Sequence, residues 1–384
     1  MLDFYNIKDR FPDSSIKFQS KIREVLDKNL GGQINNWWNE NRITDEIKDT
    51  LAEIGAFGEL KAINNHSPLN SLEYGLLMYE LERIDSGIRS IVSVQNALTI
   101  YPIKQYGSNH CKKIYLEQLQ NGNINGCFAL TEDMGGSDPS SMRTTYSKKG
   151  NNYIISGKKS WVTNAPFAKV AIVWAKEAKT KSISGFIIPT DSSGFNIYSI
   201  DDKMSLRLSP TAHVELDKVS VPLSYKLSGA SGISSALSCL AQARYGISWG
   251  VLGSIESVYE ESLSFSKSRS TFGTNLSSKQ LIQNKLSNMV SMHTKGLLLA
   301  YQLSVLLNKG MPSAAQISLA KRDNARAALV SARNAREILA AQGITLSGNV
   351  IRHMLNLETV DTYEGTYDIH TLILGKSLTG DSAF

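Results

Sequence analysis

The hydrophobic periodicity of this chain changes twice, and these changes limit the folds open to it. Up to about residue 125, apolar side chains recur every three or four residues, as in residues 18–29 and 71–84, which predicts helices. Over the next hundred residues or so, short apolar runs alternate with turn-forming clusters such as residues 149–152, which predicts strands joined by hairpins. Helical spacing then returns and continues almost to the end of the chain.

This order of elements predicts an α+β protein with three domains. We expect an N-terminal helical domain over residues 1–125, a middle antiparallel β domain of barrel or sandwich type over residues 126–225, and a C-terminal helical bundle over residues 226–384. The 384 residues are enough for more than one buried core. The Gly- and Ser-rich residues 228–235 predict a linker before the third domain.

Charge and cysteine content argue against several classes of function. The formal net charge of +6 is spread along the chain without a basic block, so nucleic-acid binding is not expected. Cys111, Cys127 and Cys239 lie far apart and form no CxxC pair, so neither a disulfide framework nor a metal site is predicted. The chain shows no membrane-spanning apolar stretch and no signal-peptide pattern, which together predict a cytoplasmic protein.

The common nucleotide-binding and hydrolytic motifs are absent from the sequence. It contains no GxGxxG, GxSxG or HExxH, and Gly375-Lys376-Ser377 is not preceded by the first glycine of a P-loop. A flavin or nicotinamide cofactor would therefore have to be held in some other way.

Four segments carry residue combinations that are uncommon together. Residues 127–138 read CFALTEDMGGSD and residues 160–164 read SWVTN. Residues 269–273 read RSTFG and are followed by Gln280, and residues 361–370 read DTYEGTYDIH. In this order and spacing, the segments resemble the acyl-CoA dehydrogenase family, and most closely its glutaryl-CoA dehydrogenase branch.

The resemblance implies a fold, a cofactor and an assembly. Family members have a helical domain, a β domain and a C-terminal four-helix bundle, carry FAD, are usually homotetramers and pass electrons to an electron-transferring flavoprotein. The segment that begins at Arg269 is expected to cross a subunit interface and to hold the FAD pyrophosphate of a neighbour, since a guanidinium group binds phosphate through two donors. The FAD-binding residues implied by the resemblance are Leu130, Thr131, Ser137, Trp161, Thr163, Arg269, Phe272, Gln280, Gln342, Gly343, Thr366 and Asp368.

Glu364 is the expected catalytic base. Desaturation of an acyl thioester removes a proton from the carbon next to the carbonyl and a hydride from the following carbon. A carboxylate takes up such a proton best when its pKa is raised toward neutrality. The resemblance assigns this role to Glu364, and it assigns stabilisation of the thioester oxygen to the Glu364 N–H and a flavin hydroxyl. Without the resemblance, a glutamate that opens a helix is more often only a cap.

Residues 82–95, which read ERIDSGIRSIVSVQ, indicate the acyl group. They resemble a stretch specific to the glutaryl-CoA branch, in which an arginine at the position of Arg89 pairs with the distal carboxylate of the acyl chain. A buried arginine needs a partner, and Glu82 or Asp85 of the same chain is the alternative to a substrate carboxylate. The substrate-binding residues implied by the resemblance are Arg89, Ser93, Glu82, Ser90, Arg244 and Tyr363.

Two departures from the family pattern leave alternatives open. Relatives have Gly-Gly-Asn-Gly near the FAD pyrophosphate, where this chain has Ala340 and Ala341 before Gln342 and Gly343. A catalytically silent flavin-fold binding module is therefore an alternative, although Glu364 argues against it and against a flavin monooxygenase. Relatives also carry Asp or Asn against the pantetheine arm, where this chain has Ala241. An acyl group on an acyl carrier protein is therefore an alternative to an acyl-CoA.

In the glutaryl-CoA branch, oxidation is commonly followed by loss of the distal carboxylate as CO2. Tyr363, directly before Glu364, matches the members that decarboxylate. Conversion of glutaryl-CoA to crotonyl-CoA is therefore the leading expectation.

Overall fold

Helices fill the N-terminal part of the computed structural model, which describes residues 2–58 and 69–383. Apolar residues on one side of the first helix, such as Ile22 and Leu26, are fully buried, which explains their three- and four-residue spacing. A π-helical stretch over Val94–Ile100 continues the fifth helix into the sixth. In chain order the helices are α1 (Asp13–Leu30), α2 (Ile34–Asn39), α3 (Asp45–Glu53), α4 (Ser71–Ile84), α5 (Ser86–Ser93), α6 (Tyr101–Tyr106) and α7 (Asn109–Gln120).

A seven-stranded sheet follows the N-terminal helices. Its strands are β1 (Gly126–Ala129), β2 (Thr145–Lys149), β3 (Asn152–Thr163), β4 (Val170–Glu177), β5 (Ile183–Pro189), β6 (Phe195–Ser199) and β7 (Thr211–Pro222). Their order is β1-β4-β2-β3-β7-β6, with β5 paired to β4. Most pairs are antiparallel as expected, but β1 and β2 each run parallel to β4, so the sheet is mixed. Alternation of apolar residues identifies strands without identifying their partners, which is why this detail was not predicted.

Long helices form the C-terminal part of the chain. They are α8 (Gly232–Ser268), α9 (Gln280–Asn308), α10 (Ala314–Leu339), α11 (Val350–Thr362) and α12 (Tyr367–Thr379). A two-stranded hairpin of β8 (Ser270–Thr271) and β9 (Thr274–Asn275) lies between α8 and α9. Because α8 begins at Gly232, about half of the predicted linker is helix. The expected fold class, with helical, β and helical parts in that order, is confirmed.

The cores join the helical parts and thereby position α4, α5, α8, α10 and α11 around one centre. One apolar core contains side chains of the N-terminal helices together with side chains of α8 to α11. A second core packs the π-helical stretch and α7 against the sheet, and a third lies within the sheet. No helix in the described ranges is long and apolar enough to cross a membrane.

Candidate active site

The segment that contains Glu364 forms a strained turn between α11 and α12. Glu364 has a φ of 55° and Gly365 has a φ of 103°, both in the left-handed region. A non-glycine residue adopts this region at a cost of about 1–3 kcal/mol and only when its surroundings enforce it. A β-carbon on residue 365 would lie 2.8 Å from Nε2 of His370, so glycine is required there. Thr366 ends the turn, since its side chain accepts the N–H of Ile369 and caps α12.

Two cationic side chains hold the backbone of this turn. Arg244 on α8 donates from Nε to the carbonyl oxygen of Glu364 at 2.7 Å. Lys321 on α10 donates from Nζ to the carbonyl oxygens of Gly365 at 2.9 Å and Asp361 at 3.2 Å. These contacts engage the main chain and do not involve the carboxylate of Glu364.

The Glu364 carboxylate has the properties of a general base. Its Oε2 is buried and has no hydrogen-bond partner among the described residues. Burial raises the pKa of Glu364, and the neighbouring cations Arg89, Arg244 and Lys321 oppose that rise. A carboxyl group with a raised pKa accepts a proton more readily than an ordinary glutamate does.

Arg89 lies next to this turn as half of a fully buried ion pair. Its Nε donates to Oε2 of Glu82 at 2.7 Å, and its Nη2 donates to the hydroxyl of Tyr363. Asp85 pairs with Arg352 instead, at 2.7 Å, so of the two intrachain partners considered for Arg89 the structure has Glu82. A β-carbon on Gly250 of α8 would lie 2.3 Å from Oε2 of Glu82, so this glycine makes room for the pair.

The part of the site around Arg89 and Glu364 is named the acyl end. It contains buried polar atoms without partners in the described part of the chain. They are Nη1 of Arg89, Oγ of Ser93, the hydroxyl of Tyr74 and Oε2 of Glu364. Burial of an unsatisfied polar group costs about 1–3 kcal/mol. Tyr74, Arg89 and Glu364 lie close enough to influence one another's charge, and such atoms on all three indicate that a ligand supplies their partners. Ser90 is buried on the same helix as Arg89 and Ser93.

Formal charge at this end favours an anionic group. Arg89, Arg244 and Lys321 are cations, while Glu82 and Glu364 are carboxylates that face them. The carboxylate of Asp361 also faces Lys321, but it is neutralised by its own ion pair with Arg326. Three positive charges against two negative charges leave one positive charge. A ligand carboxylate would neutralise it, and a charged hydrogen bond to Arg89 is among the stronger kinds.

A cavity of about 220 Å³ lies beside the acyl end. Its lining includes Tyr74 of α4, Asn96 of the π-helical stretch, and Gln242 and Tyr245 of α8. Tyr74 connects the cavity to the Glu364 turn, because Arg89 and Glu364 both lie close enough to influence the charge of its hydroxyl group. This lining combines aromatic faces with amide groups and therefore suits an elongated polar chain such as the arm of a thioester.

One group of the residues expected to bind FAD lies on the sheet and the loop after β1. Trp161 is 59% exposed, has a φ of 59° and lies at a bulge in the pairing of β3 with β7. The hydroxyls of Thr131 and Thr163 and the side chain of Ser137 make no hydrogen bond within the described ranges. The main chain here is held firmly, because the carbonyl of Leu130 accepts from buried Lys159 at 2.9 Å and that of Thr131 accepts from Ser160 at 2.9 Å.

The other expected FAD-binding residues lie in the C-terminal part of the chain. Arg269 and Phe272 belong to the hairpin segment before α9, Gln280 is the first residue of α9, and Phe272 is 93% exposed with a φ of 52°. Gln342 and Gly343 form the turn between α10 and α11, and Asp368 is exposed at the start of α12. Within the described part of the chain, no hydrogen bond joins the sheet group, the hairpin group and this turn.

The Ala340-Ala341 departure alters the backbone and not a buried contact. Both alanines are exposed. Ala340 has φ 51° and ψ −121°, a combination that glycine adopts readily and alanine does not, whereas Ala341 has helical angles of −65° and −31°. The backbone is therefore strained at Ala340 and unstrained at Ala341.

Sequence reasoning missed Lys321 and Tyr74. Lys321 lies four residues after buried Ile317 and three before buried Asn324, so its place on the buried stripe of α10 could have been read from the spacing. Tyr74 gave no signal, since an aromatic residue in an apolar helix is ordinarily part of the core. The described residues contain no cluster that could hold a metal ion, and the three cysteines are buried and free.

Comparison with known proteins gives three consecutive matches to models of one family. The acyl-CoA dehydrogenase N-terminal domain matches residues 12–123, the middle domain residues 127–219 and the C-terminal domain residues 230–379. An acyl-CoA dehydrogenase of Bacillus subtilis (strain 168) is 31% identical over 80% of this chain and 83% of its own length.

Solved structures with the same fold include two close ones. A glutaryl-CoA dehydrogenase from Mycobacterium smegmatis in complex with FADH2 is 38% identical, with a TM-score of 0.96, and the match covers 100% of this chain and 99% of the other. Butyryl-CoA dehydrogenase from Megasphaera elsdenii is 26% identical, with a TM-score of 0.90 and coverage of 96% and 99%. The chain is similar to both.

Proposed function

Because this chain belongs to the acyl-CoA dehydrogenase family and is an FAD-dependent acyl-CoA dehydrogenase, we propose that its substrate is glutaryl-CoA. The observation that carries the choice of acyl group is Arg89, which is buried beside the Glu364 turn. Its Nη1 has no hydrogen-bond partner among the described residues. The 38% identity to a glutaryl-CoA dehydrogenase supports the same choice.

The residues expected to hold FAD fit that cofactor. Trp161 offers an exposed indole face, and the hydroxyls of Thr163 at the end of β3 and of Thr131 in the loop after β1 make no hydrogen bond among the described residues. Arg269 has no ion pair within the described ranges, so its guanidinium is available to a phosphate. When bound, FAD supplies the oxidising ring that takes up the hydride from the β-carbon.

Glu364 removes the α-proton in this proposal. The raised pKa of its carboxyl group suits the task, and the Arg244 and Lys321 contacts hold its backbone in a conformation that it would not adopt unaided. The negative charge that develops on the thioester oxygen needs a preorganised donor, and the Glu364 N–H is our candidate.

Arg89, Ser93 and Tyr363 recognise the distal carboxylate of the acyl chain. Glu82 orients Arg89 through the 2.7 Å bond to Nε, which leaves Nη1 for the ligand. We extend the proposal to loss of that carboxylate as CO2 after desaturation, which yields crotonyl-CoA. We also propose an electron-transferring flavoprotein as the electron acceptor and a homotetramer as the working assembly.

A carrier-protein thioester is the second candidate substrate. The observation that favours it is Ala241, a half-buried residue that packs on the apolar core and offers no polar group to a pantetheine arm. The nearby Gln242 and Asn96 in the 220 Å³ cavity could serve a pantetheine arm from either carrier.

The test is an anaerobic titration of the purified protein with glutaryl-CoA, with flavin absorbance and products followed together. Bleaching with crotonyl-CoA and CO2 supports the whole proposal, whereas bleaching with glutaconyl-CoA alone removes the decarboxylation. If the flavin of the yellow protein is not bleached by glutaryl-CoA but is bleached by glutaryl-carrier protein, the second candidate substrate is supported instead. A colourless protein that binds no added FAD contradicts the enzyme assignment.

A further inference from the structure

Lys321 is a buried cation that the chemistry above does not use as a reactant. It is 1% exposed on α10 and is surrounded along that helix by buried apolar residues such as Ile317, Ala320 and Ala325. Lysine is rarely buried unless its charge is paired, because desolvation of an ammonium group is costly. No carboxylate lies within salt-bridge distance of Nζ among the described residues, and its hydrogen bonds go to main-chain carbonyls.

Those carbonyls bracket the base. Asp361 lies three residues before Glu364 and Gly365 one residue after it, and the carbonyl oxygen of each accepts a hydrogen bond from Nζ of Lys321, at 3.2 Å and 2.9 Å. Asp361 is also in the last turn of α11, where carbonyls lack helical partners and a cation is favourable. The two contacts therefore tie the end of α11 to the far side of the turn.

We propose that Lys321 is a positioning residue for Glu364, and that its ammonium group fixes the turn by holding the carbonyls of Asp361 and Gly365. The inference rests on the proposed role of Glu364 as the base and does not depend on which acyl group is oxidised. The left-handed backbone of Glu364, at φ 55°, needs such external support. A methionine of similar length would fill the same space without that support.

Charge gives Lys321 a second effect on the base. Its ammonium group lowers the pKa of Glu364 and so opposes the rise caused by burial. Burial lowers the pKa of Lys321 itself to about 8, so the group is mainly charged at neutral pH. The other titratable groups that face this pair from the packed elements are Arg89, Arg244, Asp361, His370, Tyr74 and Tyr363.

The sign of the pH effect follows from the active form of the base. Glu364 abstracts a proton only as a carboxylate, so activity falls as pH drops below its pKa. Removal of the Lys321 charge raises that pKa, and the acid limb of the rate profile should move to higher pH. Loss of fold stability alone would not move the limb.

The experiment compares Lys321→Met with Arg333→Met in the FAD-loaded protein. Arg333 is on the same helix, is exposed and pairs with Glu358 at the surface, so its variant removes one positive charge away from the turn. The rate of anaerobic flavin bleaching at saturating thioester is measured across pH, together with thioester affinity from spectral titration. The thioester is the one that bleaches the wild type fastest, so failure of the glutaryl-CoA assignment leaves this comparison intact.

For Lys321→Met we expect a bleaching rate lower by about a hundredfold, as for a small misplacement of a catalytic group, with thioester affinity retained. Its acid limb should move to higher pH, while Arg333→Met should match the wild type in both readouts. Two outcomes would overturn the proposal. One is a Lys321→Met variant with the wild-type bleaching rate and the wild-type acid limb. The other is a variant that loses bleaching rate and thioester affinity together while the acid limb of its rate profile stays in place. If Lys321→Met does not fold, Lys321→Gln, which is neutral and keeps a donor, is judged by the same affinity and pH criteria.

Discussion

Around Glu364 and Arg89, several buried side-chain atoms have no partner among the residues that the structure describes, whereas the side chains of Arg269 and Phe272 are exposed. The acyl end is assembled from α4, α5, α8, α10 and the turn after α11 of one chain. The residues expected to bind FAD form what is named the nucleotide end. They lie in separate groups on the sheet, the hairpin and the turn after α10. Burial makes the first region sensitive to single changes in charge, while the second depends on what binds there.

This difference separates two kinds of requirement. At the acyl end, substitutions should alter rate and specificity while FAD stays bound, because the contacts there are made within the chain. At the nucleotide end, substitutions should alter affinity for FAD and leave the chemistry of a loaded enzyme nearly intact. A substitution at the acyl end that weakens FAD binding, or one at the nucleotide end that slows the chemistry of the FAD-loaded enzyme, would contradict this separation.

The largest expected effect belongs to Glu364→Gln. Glutamine keeps the size of the side chain and the backbone contacts of Arg244 and Lys321 but cannot accept the α-proton. Substrate-driven bleaching should fall by about a thousandfold, the range of general-base catalysis, with FAD still bound. Glu358→Gln, an exposed position on α11, is the matched control and should bleach normally. Bleaching at the wild-type rate in Glu364→Gln would remove Glu364 from its role.

The next effect concerns selectivity at Arg89. Removing Arg89 alone would leave Glu82 buried and unpaired at a cost of about 3–5 kcal/mol, so the variant is the pair Arg89→Met and Glu82→Gln. We expect kcat/KM for glutaryl-CoA to fall by about a hundredfold or more, since a buried charged contact contributes about 2–5 kcal/mol. For valeryl-CoA, which has no distal carboxylate, the change should be much smaller. Equal losses on both thioesters would make Arg89 structural.

An intermediate effect is expected at the nucleotide end from Arg269→Ala. A hydrogen bond to a charged group contributes about 1.5–3 kcal/mol, so the Kd for FAD should rise about tenfold to a hundredfold. Lys267→Ala removes an exposed cation two residues earlier, in the last turn of α8, and serves as the control. FAD binding to apoprotein is followed by flavin fluorescence, and bleaching is then measured at saturating FAD. A slow chemical step in the loaded Arg269→Ala enzyme would contradict the separation of the two ends.

The sequence predicts local structure, such as helices, better than it predicts contacts between residues that are far apart in the chain. The spacing of apolar residues predicts a helix over residues 71–84, and α4 spans Ser71–Ile84. The meeting of Arg89 with Tyr363 joins residues 274 positions apart, and that of Arg244 with Glu364 joins residues 120 apart. Neither spacing nor propensity encodes such contacts, so the site residues came from resemblance alone. The parallel pairing of β1 with β4 was beyond reach for the same reason.

The smallest expected effect tests the strain at Ala340. Glycine tolerates φ 51° and ψ −121°, so Ala340→Gly should stabilise the fold by about 1 kcal/mol despite the added freedom of the unfolded chain. At Ala341, where the backbone is helical, the same change should destabilise by about 0.5–1 kcal/mol. Urea unfolding of both apoproteins measures the difference, and equal destabilisation would contradict the strain. FAD affinity of the same two variants is a second readout. Tighter FAD binding in Ala340→Gly, with no change in Ala341→Gly, would mean that the strain at Ala340 also weakens FAD binding, because rearranging a strained turn on binding costs free energy.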